Sequence, residues 1–254
     1  MNSRVVVEVD RGVATVRLDS PPLNAFDSTM RKELAAVAFS LGDDESLRVV
    51  VLWGGPSCFA AGADINQLLS MGFEKIVHWN RAMQQTFTRF AELPVPVIAA
   101  INGFALGGGL ELALCADYRI AGQGAVIGQP EVLLGIMPGS GGTQRLVALV
   151  GPSRAKELLM TGRRLSAEDA VALGLVDEVV PDQSVHERAL QYARQLATGP
   201  RFAISAIKEA VDHGGGPAGL ALERALIAGL FSTEDCGRGM RSFLDHGPGH
   251  AQFG

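Results

Sequence analysis

The stretch Pro96-Val-Ile-Ala-Ala-Ile-Asn-Gly103-Phe104-Ala-Leu-Gly-Gly-Gly-Leu-Glu111-Leu-Ala-Leu-Cys-Ala116 decides how the chain is read. From Val97 to Ala116 it is almost wholly apolar, close to the ~20 residues that a membrane-spanning helix needs. It follows Pro94-Val95-Pro96, however, and contains Asn102, Glu111 and four glycines. A carboxylate at mid-membrane is costly, and Pro and Gly punctuate a helix rather than extend it. The reading that satisfies all of these residues is a buried strand over 97–101, a glycine turn, and a buried helix over 107–116.

The same alternation runs outward in both directions. Residues 4–10 and 13–19 alternate apolar and polar and are joined by Arg11-Gly12, which predicts a hairpin. Ser28 is the expected cap of a helix reaching Leu41, and the β-branched run 48–53 reads as a buried strand. The loop 54–63 follows it, and a second helix over 74–91 is stopped by Glu92-Leu93-Pro94. Beyond the opening stretch come short strands at 118–121 and 125–128, helices at 141–150, 153–161 and 166–173, and a strand at 175–180. Strands and helices that alternate in this way define an α/β protein.

The tail reads as all-helical: 182–197, 201–212, 218–231 and 233–245, interrupted by Gly214-Gly215-Gly216-Pro217. We therefore divide the chain into an α/β core over 1–197 and a helical region over 198–254. Helices with apolar stripes must bury them within the chain or against a second subunit.

Composition narrows the partners. The 254 residues are 47% hydrophobic and 19% charged, with a net charge of −5 and only four lysines: Lys32, Lys75, Lys156 and Lys208. Nucleic acids and anionic membranes need a positive field, so neither is expected as a partner. The widely spaced Cys58, Cys115 and Cys236 form neither a disulfide framework nor a zinc pattern, and are expected to be the reduced thiols of a cytoplasmic protein. The apolar run Val5-Val6-Val7 is too short for an export signal.

Familiar nucleophile, zinc and phosphate-loop motifs are missing, and the five histidines are scattered and expected on the solvated surface. Glu111 stands out as the only polar side chain among thirteen residues of 104–116. A buried carboxylate must find hydrogen-bond partners, take up a proton or face a polar cavity. Gly107, Gly108 and Gly109 open the same helix, leaving free N–H groups at the positive end of its dipole, where an oxyanion is stabilised. Close helix packing would also account for these glycines. Glu131 follows Pro130 at an apparent helix start, a place that favours a carboxylate whatever its role. Together, Glu111 and Glu131 are candidates for two-carboxylate acid/base chemistry, with one ionised and one neutral.

Several segments carry a specific resemblance: Pro21-Pro-Leu-Asn-Ala-Phe26, Phe59-Ala-Ala-Gly-Ala-Asp-Ile65, Ala105-Leu-Gly-Gly-Gly-Leu-Glu111, Gly128-Gln-Pro-Glu131, Gly135-Ile-Met-Pro-Gly139 and Gly141-Gly-Thr-Gln-Arg-Leu146. With them the chain resembles the enoyl-CoA hydratase/isomerase (crotonase) family, and within it the short-chain enoyl-CoA hydratases. The resemblance implies a spiral of strand-strand-helix turns with a helical C-terminal trimerisation region, assembled as a trimer or a dimer of trimers. It implies an acyl-CoA substrate, as in fatty acid β-oxidation or related acyl-CoA catabolism, with no metal and no cofactor beyond the coenzyme A of the substrate.

By the same matching, the oxyanion hole falls on the N–H groups of Ala63 and Gly108, the catalytic glutamates on Glu111 and Glu131, and a water-positioning N–H on Gly139. Contacts to the CoA moiety fall on Leu23, Ala25, Ala61, Asp64 and Ile65, and the acyl pocket on 67–77. Isomerases of the family typically keep only the carboxylate at Glu131, so retention of both implies hydration. A Δ3,Δ2-enoyl-CoA isomerase, a hydratase of an unusual acyl-CoA and a catalytically silent scaffold are the alternatives. The chain departs from the family at Asn66 and at Asp245-His-Gly-Pro-Gly-His250, where many hydratases carry basic residues toward the CoA phosphate.

Overall fold

The computed structural model describes residues 3–253. Strand β1 (Val5–Asp10) and strand β2 (Val13–Leu18) form the expected antiparallel hairpin. Helix α1 (Ser28–Gly42) follows, and its cap is Asp27 rather than the expected Ser28. The Asp27 carboxylate accepts from Thr29 N and Met30 N, satisfying two N–H groups that a helix start leaves open. Strand β3 (Val49–Trp53) then pairs in parallel with β2.

The next segments are α2 (Ile65–Leu69), a short helix that runs into the segment 67–77 expected at the acyl pocket, and α3 (Phe73–Ala91). Strand β4 (Val97–Ile101) is buried throughout, and after Asn102-Gly103 the chain enters β5 (Phe104–Leu106) and then α4 (Gly108–Ala113). Helix α4 ends three residues before the expected Ala116. The chain has to turn there to start β6 (Tyr118–Gly122), and Asp117 N already donates to Val97 O at 2.7 Å.

Strand β7 (Val126–Gly128) leads into a 3-10 turn over Pro130–Leu134, so Glu131 opens a 3-10 turn and not an α-helix. Then come α5 (Gly142–Val150), α6 (Pro152–Thr161), the two-residue β8 (Leu165–Ser166), α7 (Ala167–Ala172) and β9 (Glu178–Val180). The strand expected over 175–180 is thus shorter. Leu175 N instead turns back to Ala170 O at 2.8 Å, closing the end of α7.

The main sheet has the order β1-β2-β3-β4-β6-β9, parallel from β2 onward, and a small second sheet has the order β5-β7-β8. Two of the central strands feed the second sheet before the next helical turn: β4 to β5 to α4, and β6 to β7 to the 3-10 turn. Alternate residues of β3 and β4 serve different cores. Val50, Leu52, Val97, Ala99 and Ile101 join the larger core, whereas Val49, Val51, Ile98 and Ala100 join a second one completed by Val185, Ala189 and Ala193. Those three lie on α8 (Val185–Ala197), which covers the opposite face of the sheet.

His186, on the same helix, was expected on the solvated surface. It is half-buried and stacks on Trp53 with ring centroids 3.9 Å apart. Beyond it, α9 (Arg201–Asp212), α10 (Gly216–Leu230) and α11 (Glu234–His246) form the helical tail. Lys208 Nζ of α9 meets Asp117 Oδ1 at 2.5 Å, tying the tail to the core.

Candidate active site

Parallel strands that end side by side leave a crevice beyond their carboxyl ends, and helices or turns that start there point their N–H groups into it. Here β5 and β7 pair as Leu106 with Gly128, and Gly107 N donates to Gly128 O at 2.9 Å. The chain then starts α4 on one side and the Pro130–Leu134 turn on the other. Glu111 and Glu131 come from these two starts, and both line one cavity of 540 Å³.

A third edge of the cavity is made by the loop after β3. Phe26 bridges Ala63 in parallel fashion: Phe26 N donates to Gly62 O at 2.8 Å, and Asp64 N donates to Phe26 O at 3.0 Å. In such a bridge the N–H of the middle residue, Ala63, faces away from Phe26. Gly62 has φ +100°, and a Cβ there would stand 3.0 Å from Leu106 O and 3.3 Å from Gly108 N. That close approach brings the Ala63 backbone beside Gly108. As the first residue of α4, Gly108 has no intrahelical acceptor for its N–H. Ala63 and Gly108 line the same cavity.

Glu111 is 2% exposed. Its Oε1 accepts from Ser140 N at 2.7 Å and Gly142 N at 2.8 Å. Burial pushes its carboxyl above the usual carboxylate range, and the two backbone N–H groups oppose the shift. Glu131 is half-buried, and its carboxyl is pushed up to about 7, mainly by burial, with the charge of Glu111 adding to the shift. A Cβ on Gly107 would stand 3.1 Å from Glu131 Oε1, so the bare backbone at 107 makes room for this carboxylate. The Gln129 amide, 2% exposed, lies against the Glu131 carboxylate; with its nitrogen turned toward that carboxylate it donates to Oε1 at 2.9 Å and Oε2 at 3.2 Å.

The loop carrying Gly139 to Gly142 is held from behind. Gln84 Nε2 donates to Gly139 O at 2.7 Å, and Arg145 donates to Ser140 O at 3.3 Å and to Thr88 Oγ1 at 3.1 Å. Helix α3 therefore braces the loop that fixes Glu111. The same helix supplies Ile76, Trp79 and Met83 to the cavity wall, and Leu68 and Met71 come from the segment before it. Phe73 and Met137 stand at the mouth, 82% and 66% exposed.

Of the expected CoA contacts, Ala61 and Ile65 line the cavity, while Leu23, Ala25 and Asp64 do not. Leu23 O accepts from Ala61 N at 2.9 Å, which shapes that wall through the backbone. The Asp64 carboxylate is occupied as the cap of α2, accepting from Asn66 N at 2.8 Å and Gln67 N at 3.2 Å. Reading the sequence did not single out Gln129, Gln84, Arg145 or the Ser140 and Gly142 amides. Gln129 and Arg145 lie inside the quoted motifs, but only the fold shows what they hold.

A buried and a half-buried carboxylate lining one cavity with two unengaged backbone N–H groups describe a site for acid/base chemistry on a carbonyl compound that passes through an oxyanion. Comparison with known proteins agrees with this class. The family model described as enoyl-CoA hydratase/isomerase matches residues 8–252. A Mycobacterium tuberculosis protein described as a probable enoyl-CoA hydratase, EchA17, is 40% identical over 203 residues, covering 80% of this chain and 78% of that one. An Arabidopsis thaliana protein described as probable enoyl-CoA hydratase 2, mitochondrial, is 39% identical over 241 residues, covering 93% and 80%. The crystal structure of an enoyl-CoA hydratase from Bacillus anthracis superposes with TM-score 0.91 at 37% identity, covering 95% of this chain and 96% of that one. The chain belongs to the enoyl-CoA hydratase/isomerase family, and its α/β architecture is the crotonase-like spiral.

Proposed function

We propose that the protein adds water across the double bond of a trans-2-enoyl-CoA to give a 3-hydroxyacyl-CoA, in fatty acid β-oxidation or related acyl-CoA catabolism. The observation that carries this reading is the convergence of Glu111 and Glu131 on the cavity that Ala63 and Gly108 also line. An isomerase needs one carboxylate to move one proton. Here the second, Glu111, is fixed by two backbone N–H groups, a placement that supports a two-carboxylate reaction and argues against a silent scaffold.

In this reading the thioester oxygen lies between Ala63 N–H and Gly108 N–H. Glu111 takes a proton from the water as its oxygen bonds to the β-carbon, and Gly139 N–H positions that water. Electrons move through the former double bond to the thioester oxygen. Neutral Glu131 then protonates the α-carbon, and the remaining charge is reset by proton exchange between the carboxyl groups and solvent. Losing one oxyanion donor costs other enzymes ~10²- to 10³-fold, and acid/base groups contribute ~10²- to 10⁴-fold, so the two devices carry comparable shares. The reaction as written uses no metal, and coenzyme A enters only as part of the substrate, with Ala61 and Ile65 beside its pantetheine arm.

The assembly that goes with this reading is a homotrimer or a dimer of trimers built through α9, α10 and α11, whose apolar faces the single chain leaves exposed. A cytoplasmic location is supported by Cys58, Cys115 and Cys236 all being unpaired. Among the described residues, no helix is long and apolar enough to cross a membrane. The deciding experiment follows the absorbance of the conjugated enoyl thioester when the protein meets crotonyl-CoA and longer homologues. Rapid loss that Glu131→Gln lacks is expected, and no loss at any chain length overturns the reading.

A further inference from the structure

Helix α3 carries a polar stripe through an otherwise apolar wall: Asn80, Gln84 and Thr88, at i, i+4 and i+8, share one face. Two of the three are occupied. Gln84 holds Gly139 O at 2.7 Å, and Thr88 receives Arg145 at 3.1 Å. The third differs in both position and partners. Asn80 lines the active-site cavity between Ile76, Trp79 and Met83, and no hydrogen bond among the described residues engages its amide. That amide lies over the Gly139 backbone, since a Cβ on Gly139 would stand 3.0 Å from both Asn80 Nδ2 and Asn80 Oδ1. The neighbouring residue, Ser140, is the one whose N–H fixes Glu111 at 2.7 Å.

A carboxamide on an apolar wall is hydrated while the cavity is open, but an acyl chain that fills the cavity displaces that water and offers no partner in return. The polar atom that arrives on this side of the site is the oxygen being added. Once bonded to the β-carbon, it carries one hydrogen and two lone pairs. The hydrogen can face a carboxylate and one lone pair can accept Gly139 N–H, which leaves the second lone pair to be satisfied. We infer that the Asn80 amide donates from Nδ2 to the β-oxygen, pairing it in the transition state and in the 3-hydroxyacyl product. This makes Asn80 a further catalytic residue for the proposed hydration, and the inference rests on that reading. A site that hydrogen-bonds a hydroxyl discriminates against the analogue lacking it, because its own polar group is then left unpaired.

The test compares 3-hydroxybutyryl-CoA with butyryl-CoA, which differ only in that hydroxyl, by titration calorimetry on the wild type, Asn80→Leu and Asn80→Asp. Leu is close to isosteric and apolar, while Asp keeps the shape and polarity and removes the donor, so a folding defect in one leaves the other to decide. The expected result is that both variants lose about tenfold of the preference for the hydroxylated ligand. Turnover of crotonyl-CoA should fall in kcat, with KM within about twofold. Equal weakening of both ligands would make Asn80 a wall residue and overturn the inference, as would an unchanged preference. A wild-type protein that hydrates neither crotonyl-CoA nor its longer homologues overturns the hydratase reading and this inference with it. One that hydrates any of them, combined with an unchanged preference, removes Asn80 alone.

Discussion

Glu111 and Glu131 share a cavity but differ in what surrounds them, and that difference sets a pH dependence. Glu131 is pushed up to about 7, first by burial, with the Glu111 charge adding to it. Near neutrality the Glu131 carboxyl is therefore about half protonated. If neutral Glu131 is the acid that protonates the α-carbon, kcat/KM for hydration falls as pH rises above about 7, because the free enzyme loses that proton. A profile recorded on crotonyl-CoA checks this, and a flat alkaline limb would remove Glu131 as the acid. Glu131→Gln should lower turnover by at least ~10²-fold with little change in product binding. Two adjacent glycines show how closely the same site is built. A Cβ on Gly109 would stand 2.0 Å from Ala60 O, a backbone atom, whereas one on Gly108 would meet the edge of the Phe26 ring at 3.3 Å. Gly109→Ala should abolish folding or lower Tm by well over ten degrees, and Gly108→Ala should fold with reduced turnover. Thermal melts of the two variants side by side would show it.

At the scale of elements, what was legible followed periodicity and punctuation. The strands over 49–53 and 97–101 and the helix over 73–91 are set by β-branched runs, an apolar stripe and the Pro94 stop, all of which are local. Misreadings arose where tertiary geometry intervened. Asp27 caps α1 ahead of Ser28, with its other carboxylate oxygen engaged by Arg4, and α4 ends early because β6 has to start beside β4. His186 looked like a surface residue because nothing in its neighbourhood of sequence announces Trp53, 133 positions away. Its stacking on Trp53 has a thermodynamic consequence. Burial lowers the imidazole below its ordinary 6.5, opposed only by the charge of Glu8, and Nε2 is buried without a partner. The unfolded chain therefore takes up the proton first as pH falls. The contribution of His186 to stability is full above about 6.5, declines below it, and levels off under the depressed folded-state value. Urea denaturation from pH 7.5 to 5 should show this as a difference in slope between the wild type and His186→Phe, because the raised Glu131 carboxyl favours the folded state as pH falls across the same window in both proteins. An identical slope in the variant would place the origin elsewhere.

For the whole molecule, the site was legible only through motifs, because its parts lie on three separate turns of the spiral: Ala63 after β3, Gly108 and Glu111 after β4 and β5, Glu131 after β6 and β7. Periodicity locates each turn without stating that they converge. The tail poses the opposite problem, since its helices are plain in the sequence and their burial is not. Both covers for the apolar stripes, within the chain or on a second copy, fitted the sequence. The structure leaves Val211, Leu220, Phe231, Phe243 and Leu244 at 75%, 57%, 65%, 59% and 82% exposure. Apolar surface spread over three helices is what the assembly proposed above would cover, by an isologous or cyclic contact between copies. Analytical ultracentrifugation should therefore find a mass three or six times that of the 26.7 kDa chain. Leu244→Asp combined with Phe243→Asp should shift the distribution toward single chains and lower Tm, because obligate assemblies draw part of their stability from the interface. A wild-type protein that sediments as a monomer at micromolar concentration would mean that these stripes are covered by something other than a second copy.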